Sequence, residues 1–152
     1  DYFWINIRVK GGAYGCRGVF NLNGDTYFSS YRDPNLEKTN DVFAHTADYI
    51  RAFDADERDM TKYIIGTISE MDTPLTPAQR GMRALACYMR GTTFEELQKY
   101  RDEVLNASVE DIRALAPMVQ SVMDQDYFCV VGNEDTLEAS KDMFDVLYNL
   151  YE

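Results

Sequence analysis

The pair Asn23-Gly24 is the feature of this chain that most constrains its fold. It stands between residues 13–22 and residues 25–31, two runs rich in aromatic and β-branched side chains. Asparagine and glycine both tolerate the positive φ that a tight turn between antiparallel strands requires. The pattern therefore predicts a β-hairpin early in the chain.

A short helix is predicted immediately before the hairpin, over residues 2–10. It contains two apolar side chains one turn apart, and Gly11 with Gly12 provides its stop signal. The apolar residues alternate over residues 5–9, which would also suit a strand. Helix and strand both stay open for this segment.

From residue 36 the apolar spacing becomes helical, after residues 32–35 break the second strand and set up a helix cap. Five helices are predicted, over 36–53, from Asp56 onwards, from Pro77 to about Arg90, over 94–106 and over 109–123. Their starts carry cap residues, with a capping-box pattern at Thr76, a cap at Thr92 or Thr93, and a cap at Ser108. A short apolar strand over 126–131 and a closing helix over 135–150 complete the prediction.

The order helix, hairpin, helices, strand, helix predicts an α+β fold, with an antiparallel sheet and helices packed on one face. Residues 1–152 have the length of a single domain. Two or three strands are too few for a free-standing sheet of this size. We therefore expect a domain partly truncated at its N-terminus, with further strands before Asp1 and a longer parent protein.

The net charge of −11 argues against a nucleic-acid partner, which would need lysines and arginines to neutralise phosphates. Acidity of this kind suits a cationic peptide, or serves solubility alone. No apolar run approaches the ~20 residues of a membrane span, so no membrane partner is expected. The cysteines are odd in number and widely spaced, which favours reduced thiols and a cytoplasmic location.

Catalytic residues of the common kinds are scarce in this sequence. A zinc peptidase needs two histidines and a carboxylate on one helical face, and His45 is the only histidine. A metal site built from this chain alone is therefore not expected. His45 is also the only base available to a cysteine nucleophile, and no spacing pairs the two. A small-molecule enzyme thus lacks a nucleophile–base pair.

The glycine-rich residues 11–15 resemble a phosphate loop only superficially, because no Lys-Ser/Thr pair follows and the segment precedes a strand. The glycines would permit a tight helix-to-strand turn. On this interpretation Arg8 and Tyr14 are ordinary surface residues. A functional role for both stays open from the residues alone.

Two ordered motifs carry a resemblance to a known family. Residues 7–15 read IRVKGGAYG, and residues 30–35 read SYRDPN. Together, and with a hairpin between them, they resemble the presequence-protease branch of the pitrilysin/insulinase zinc metallopeptidases. The later helices are similar to that branch more loosely, so the resemblance covers essentially the whole chain.

The resemblance implies a processing-peptidase/insulinase-like metallohydrolase domain. Family members are clamshells whose N-terminal half holds zinc through H-x-x-E-H and a distal glutamate. Their C-terminal half supplies an Arg/Tyr pair to the substrate, and the matching residues here are Arg8 and Tyr14. Gly11, Gly12 and Ala13 would line the bound peptide. The expected partners are thus the zinc-bearing N-terminal half of the same polypeptide and a peptide substrate.

On this resemblance the chain is most of the last domain, holds no zinc ligand and is inactive alone. The second hypothesis is a non-catalytic, processing-peptidase-like scaffold or peptide-binding subunit. An H-x-x-E-H motif upstream in the parent would favour the peptidase, and its absence would favour the scaffold. Pro34 and Asn35 suit a strand end and a helix cap, so residues 30–35 are expected to serve turn geometry.

Overall fold

The computed structural model describes residues 1–21 and 24–150 as a helical chain with one two-stranded sheet. A π-helix (Trp4–Val9) is followed by strands β1 (Gly15–Phe20) and β2 (Thr26–Tyr31) and by helices α1 (Leu36–Ala44), α2 (Thr46–Arg51), α3 (Glu57–Met71), α4 (Pro77–Arg90), α5 (Phe94–Leu105), α6 (Val109–Ala114), α7 (Ala116–Met123) and α8 (Glu134–Ala139). A short 3-10 helix follows at Lys141–Met143. The architecture is α+β, as the sequence predicts.

The predicted hairpin is present. Strands β1 and β2 pair antiparallel, from Gly15 opposite Tyr31 to Phe20 opposite Thr26. Gly24 adopts the positive φ of 93° that the turn signal implied. Its partner in the predicted turn, Asn23, lies outside the described residues.

The segment before the hairpin is helical rather than extended. The Lys10 amide donates to the Ile5 carbonyl (3.0 Å), which is the i→i+5 bond of a π-helix. Gly11 follows at a point where an added Cβ would lie 2.4 Å from the Ile7 carbonyl oxygen. Gly12 then takes a φ of 80°. The two glycines end the helix, as predicted.

Aromatic rings join the N-terminal helix, the hairpin and α1 into one packed unit. Phe3 meets Phe28 of β2 and Phe43 of α1 edge-on, with ring centroids 5.2 and 5.3 Å apart. Phe28 stacks on Phe43 at 5.8 Å. Because these contacts lie on one face of the hairpin, the N-terminal helix and α1 cover that face.

Two predicted helices are each divided in the structure. The predicted helix 36–53 breaks at His45, where His45 Nδ1 lies 2.8 Å from the Asp41 carbonyl and the Thr46 hydroxyl donates to the Val42 carbonyl (3.2 Å). Side-chain bonds of this kind compete with the helical ladder. The predicted helix 109–123 breaks at Leu115, because Pro117 has no amide to donate to the preceding turn.

The predicted strand over 126–131 is wrong. In the described part of the chain, β1 and β2 are the paired strands, and residues 126–131 form no ladder with them. The predicted closing helix 135–150 is too long, since α8 ends at Ala139 and the backbone becomes extended at Phe144. The Phe144 ring stacks on Phe128 at 5.1 Å, so packing between the two segments replaces the predicted elements.

The predicted helix caps are confirmed where the cap residue bonds to the first turn of its own helix. Thr76, Thr93 and Ser108 each form a capping box with the residue three positions on. Asp56 accepts a bond from the Asp59 amide at the start of α3. Gly91 ends α4 with a φ of 71°.

In residues 1–21 and 24–150, the buried apolar side chains lie in two places. Ile7 and Ala13 are buried where the N-terminal helix meets the hairpin, while Ala47, Ala116 and Val119 are buried between α2 and α7. Arg113 of α6 donates to the Phe53 carbonyl (2.6 Å) and so attaches this second cluster to the loop after α2. No helix among the described residues is long and apolar enough to cross a membrane.

Replacing Gly11 with alanine should destabilise the fold, because the new methyl group would collide with the Ile7 carbonyl. Overpacking of this kind costs about 1–3 kcal/mol. Gly81→Ala is the matched control, since its Cβ meets nothing within 4 Å inside α4 and should stabilise by about 0.5–1 kcal/mol. Urea denaturation of both variants checks this, and equal midpoints for the two would contradict the close approach at Gly11.

Candidate functional site

Residues 11–14, within the IRVKGGAYG motif, form the turn between the N-terminal helix and β1. The Gly12 amide donates to the Arg8 carbonyl (2.9 Å), and the Ala13 amide donates to the Ile7 carbonyl (3.1 Å). Ala13 itself is buried. The turn is therefore attached through its backbone to the last turn of the helix.

A second segment, residues 31–35, holds the opposite side of this turn. The Tyr14 amide lies 3.1 Å from the Tyr31 carbonyl and 3.3 Å from the Arg32 carbonyl, and donates to both. The Asn35 side-chain amide donates to the Gly11 carbonyl. The two motifs that are separated by the hairpin in sequence are thus in direct contact in space.

Asp33 stabilises the 31–35 segment through both oxygens of its carboxylate. One of its carboxylate oxygens accepts the Asn35 amide (2.9 Å), and the other accepts the hydroxyl of the buried Thr39 (2.7 Å). Asn35 is the N-cap residue of α1 in position, but its side chain makes no capping bond. The expected capping role for Asn35 is therefore wrong, because its side chain is used to bind Gly11.

The side chains of Arg8 and Tyr14 have separate aromatic partners. The Arg8 guanidinium lies over the Trp4 ring, 3.9 Å from its centroid. The Tyr14 ring packs edge-on against Tyr31 with centroids 6.0 Å apart, and the residue is 66% exposed. Among the described residues, the Tyr14 hydroxyl has no hydrogen-bond partner, so it is open to an incoming ligand.

Arg32 places a cation beside Tyr14 that the sequence reasoning missed. Its guanidinium carbon lies 5.8 Å from the Tyr14 ring centroid and 5.4 Å from the Tyr31 centroid. Arg32 has a φ of 48°, which is rare for a non-glycine residue. The sequence signal for a role of Arg32 is the SYRDPN motif, which by itself indicates only turn geometry.

The charges around the turn also affect Cys16 of β1. Burial raises the pKa of the Cys16 thiol, the Arg8 guanidinium opposes this effect and the Asp33 carboxylate adds to it. Cys16 is thus a half-buried thiol whose raised pKa favours the neutral form. It adds no charge to the site.

No group of three or more His, Cys, Asp or Glu side chains in residues 1–21 and 24–150 could hold a metal ion. The single histidine, His45, is exposed at the junction of α1 and α2. Its charged neighbours are Asp41 and Asp48.

Comparison with known proteins assigns the family. Residues 1–133 match the family described as "PreP C-terminal domain". The chain belongs to this family. The resemblance to the presequence-protease branch, predicted from residues 7–15 and 30–35, is thereby confirmed.

Several curated relatives align along nearly the whole chain. Protein HypA of Clostridium perfringens is 46% identical over 144 residues, which is 95% of this chain and 15% of that protein. Presequence protease 1, chloroplastic/mitochondrial, of Arabidopsis thaliana is 36% identical over 140 residues, 91% of this chain and 13% of that protein. The mitochondrial presequence protease of Aspergillus fumigatus is 29% identical over 143 residues, 93% and 13%. The chain thus spans about a seventh of the length of these relatives.

His45 should make the stability of the chain depend on pH. The Asp41 carbonyl beside Nδ1, together with the Asp41 carboxylate, raises the pKa of His45 above its ordinary 6.5. The protonated form is favoured by folding, so the stabilisation is fully present below pH 6.5 and is lost as the pH rises through the folded pKa. His45→Gln should remove this pH-dependent stabilisation. Urea midpoints measured below pH 6.5 and at about pH 8 check this. An unchanged pH dependence in the variant would contradict the assignment.

Proposed function

We propose that this chain acts as the C-terminal domain of a longer zinc-dependent metalloendopeptidase that degrades unstructured peptides. Its Arg8 and Tyr14 side chains bind the substrate and stabilise the transition state, and the domain is inactive alone. Membership of the PreP C-terminal domain family and the presequence proteases among its relatives support this proposal. The observation that carries it is an open tyrosine hydroxyl on a turn held from both sides.

The proposal includes an insulinase-like arrangement for the parent protein. This domain would be one part of a clamshell, and its partner would be the zinc-bearing N-terminal half of the same polypeptide. We further propose a cytoplasmic location, on the basis of the unpaired cysteines.

Zinc in the N-terminal half would supply Lewis-acid chemistry and an activated water. The contribution of this chain is a hydrogen bond from the Tyr14 hydroxyl to the scissile carbonyl oxygen, which gains negative charge during hydrolysis. A donor of this kind is effective only if it is positioned in advance, because the bond must strengthen as the charge develops. The backbone bonds on both sides of Tyr14 provide such positioning.

Arg8 supplies a permanent positive charge and a planar set of donors for the carbonyl groups of the substrate. Its stacking on Trp4 restricts the guanidinium without using those donors. Gly12 and Ala13 already donate their amides within the protein, so neither amide is free for a peptide. We propose that residues 11–13 contribute by their small size, which lets an extended peptide approach the turn closely.

The second candidate is a scaffold or peptide-binding subunit without catalysis. It is favoured by the apolar side chains that α4 exposes, namely Met82, Leu85 and Met89. The motif H-x-x-E-H upstream of this chain in its parent discriminates the two. Its presence supports the peptidase, and its absence supports the scaffold.

Tyr14→Phe in the full-length protein should lower kcat for hydrolysis of an unstructured peptide by about 10²–10³. The substitution removes only the hydroxyl oxygen, and that oxygen has no partner within the described part of the protein. Zinc content, measured by atomic absorption, should not change.

Tyr27→Phe is the matched control for this experiment. Tyr27 is also exposed, on the same strand that carries Tyr31 but toward its opposite end. Its loss of a hydroxyl should leave kcat at the wild-type value. A Tyr14→Phe enzyme as active as Tyr27→Phe would remove Tyr14 from the mechanism.

A further inference from the structure

We propose that Asn35 is a positioning residue that sets the orientation of Tyr14 through the Gly11 carbonyl. The inference rests on the proposed function of Tyr14 and adds a residue to the same site. Asn35 does not reach the substrate in this proposal. It acts through the backbone of residues 11–14.

The first step is the contact between Asn35 and Gly11. The Asn35 side-chain amide donates to the Gly11 carbonyl, across 24 residues of sequence. A Cβ added at Gly11 would collide with the Ile7 carbonyl oxygen, so the backbone of Gly11 passes close to the end of the helix. The Gly11 residue therefore lies between the helix end and the Asn35 side-chain amide.

The second step is the anchoring of Asn35 itself. Asp33 accepts the Asn35 backbone amide and the Thr39 hydroxyl, which ties residue 35 to the first turn of α1. Helix α1 is held in turn by the N-terminal helix, through the Phe3–Phe43 ring contact. Asn35 thus transmits the position of a packed helix to the glycine turn.

The third step links the turn to the tyrosine. The Tyr14 amide is bonded to the Tyr31 and Arg32 carbonyls, and the Gly11 carbonyl is bonded to Asn35. Residues 11–14 are therefore held at both ends by the 31–35 segment. Loss of the Asn35 bond frees the first end and lets the Tyr14 ring shift relative to a bound peptide.

A helix-capping role would explain an asparagine at this position without any link to the site. The structure separates the two roles, because the Asn35 side chain makes no cap bond to α1. A serine in its place would retain a residue type preferred at helix N-caps but could not reach Gly11 in the same way. An aspartate would keep the shape of asparagine and lose the donor.

The test uses the full-length protein and an internally quenched, unstructured peptide as substrate. Asn35→Asp and Asn35→Ser should each lower kcat roughly ten- to a hundredfold, with KM nearly unchanged, because a small misplacement of a positioned donor acts on the transition state. Asn40→Asp is the matched control, being the same chemical change within α1. It should leave kcat unchanged. The serine variant keeps the test valid if the aspartate variant does not fold.

The decisive comparison places Asn35→Ser in a Tyr14→Phe background. If Asn35 acts through the Tyr14 hydroxyl, the double variant should be no slower than Tyr14→Phe alone. Equal fold-losses in both backgrounds would overturn the proposal in favour of a general structural role. Wild-type kcat in the Asn35 variants with a slow Tyr14→Phe enzyme would overturn this inference alone. Wild-type kcat in Tyr14→Phe would overturn the proposed function together with it.

Discussion

The carbonyl group of Gly11 lies where the N-terminal helix, the turn before β1 and the 31–35 segment meet. The absence of a side chain at Gly11 lets the chain leave the helix within van der Waals reach of the Ile7 carbonyl. The carbonyl oxygen of Gly11 is then directed to the Asn35 amide, which satisfies one of the polar groups left at the helix end. The Asn35 bond to Gly11 and the Tyr14 amide bonds to Tyr31 and Arg32 together join the turn to the 31–35 segment.

Packing around Phe28 stabilises this arrangement, although few side chains in the described part of the chain are fully buried. Phe3, Phe28 and Phe43 come from three different elements and contact one another in pairs. Aromatic pairs of this geometry contribute about 0.5–1.5 kcal/mol each beyond the burial of their area. Tyr2 adds a stacking contact with Tyr49 at 4.5 Å, so α2 joins the same cluster. The turn that carries Tyr14 is thus attached to this aromatic cluster.

Elements that depend on neighbouring residues could be predicted from the sequence, and elements that depend on distant partners could not. The hairpin turn at Gly24 and the capping boxes at Thr76 and Ser108 are local, and each formed as expected. The strand over 126–131 had the right composition, but a strand also requires a pairing partner, and the described residues offer none to it. The helix breaks at His45 and Leu115 are caused by side-chain hydrogen bonds and by a proline. The spacing of the apolar residues does not reveal either cause.

The candidate site likewise combines residues that the sequence could predict with a contact that it could not. Arg8 and Tyr14 could be named from the motif, and the turn that carries Tyr14 could be inferred from its glycines. The bond from Asn35 to Gly11 could not, because an asparagine before a helix is more simply interpreted as a cap. We propose that Tyr14 faces the scissile carbonyl of a bound peptide, and a structure of the full-length protein with an uncleavable peptide tests this most directly. The Tyr14 hydroxyl should lie about 2.7–3.1 Å from that carbonyl oxygen. A peptide bound with its scissile bond beyond the reach of Tyr14 would contradict it.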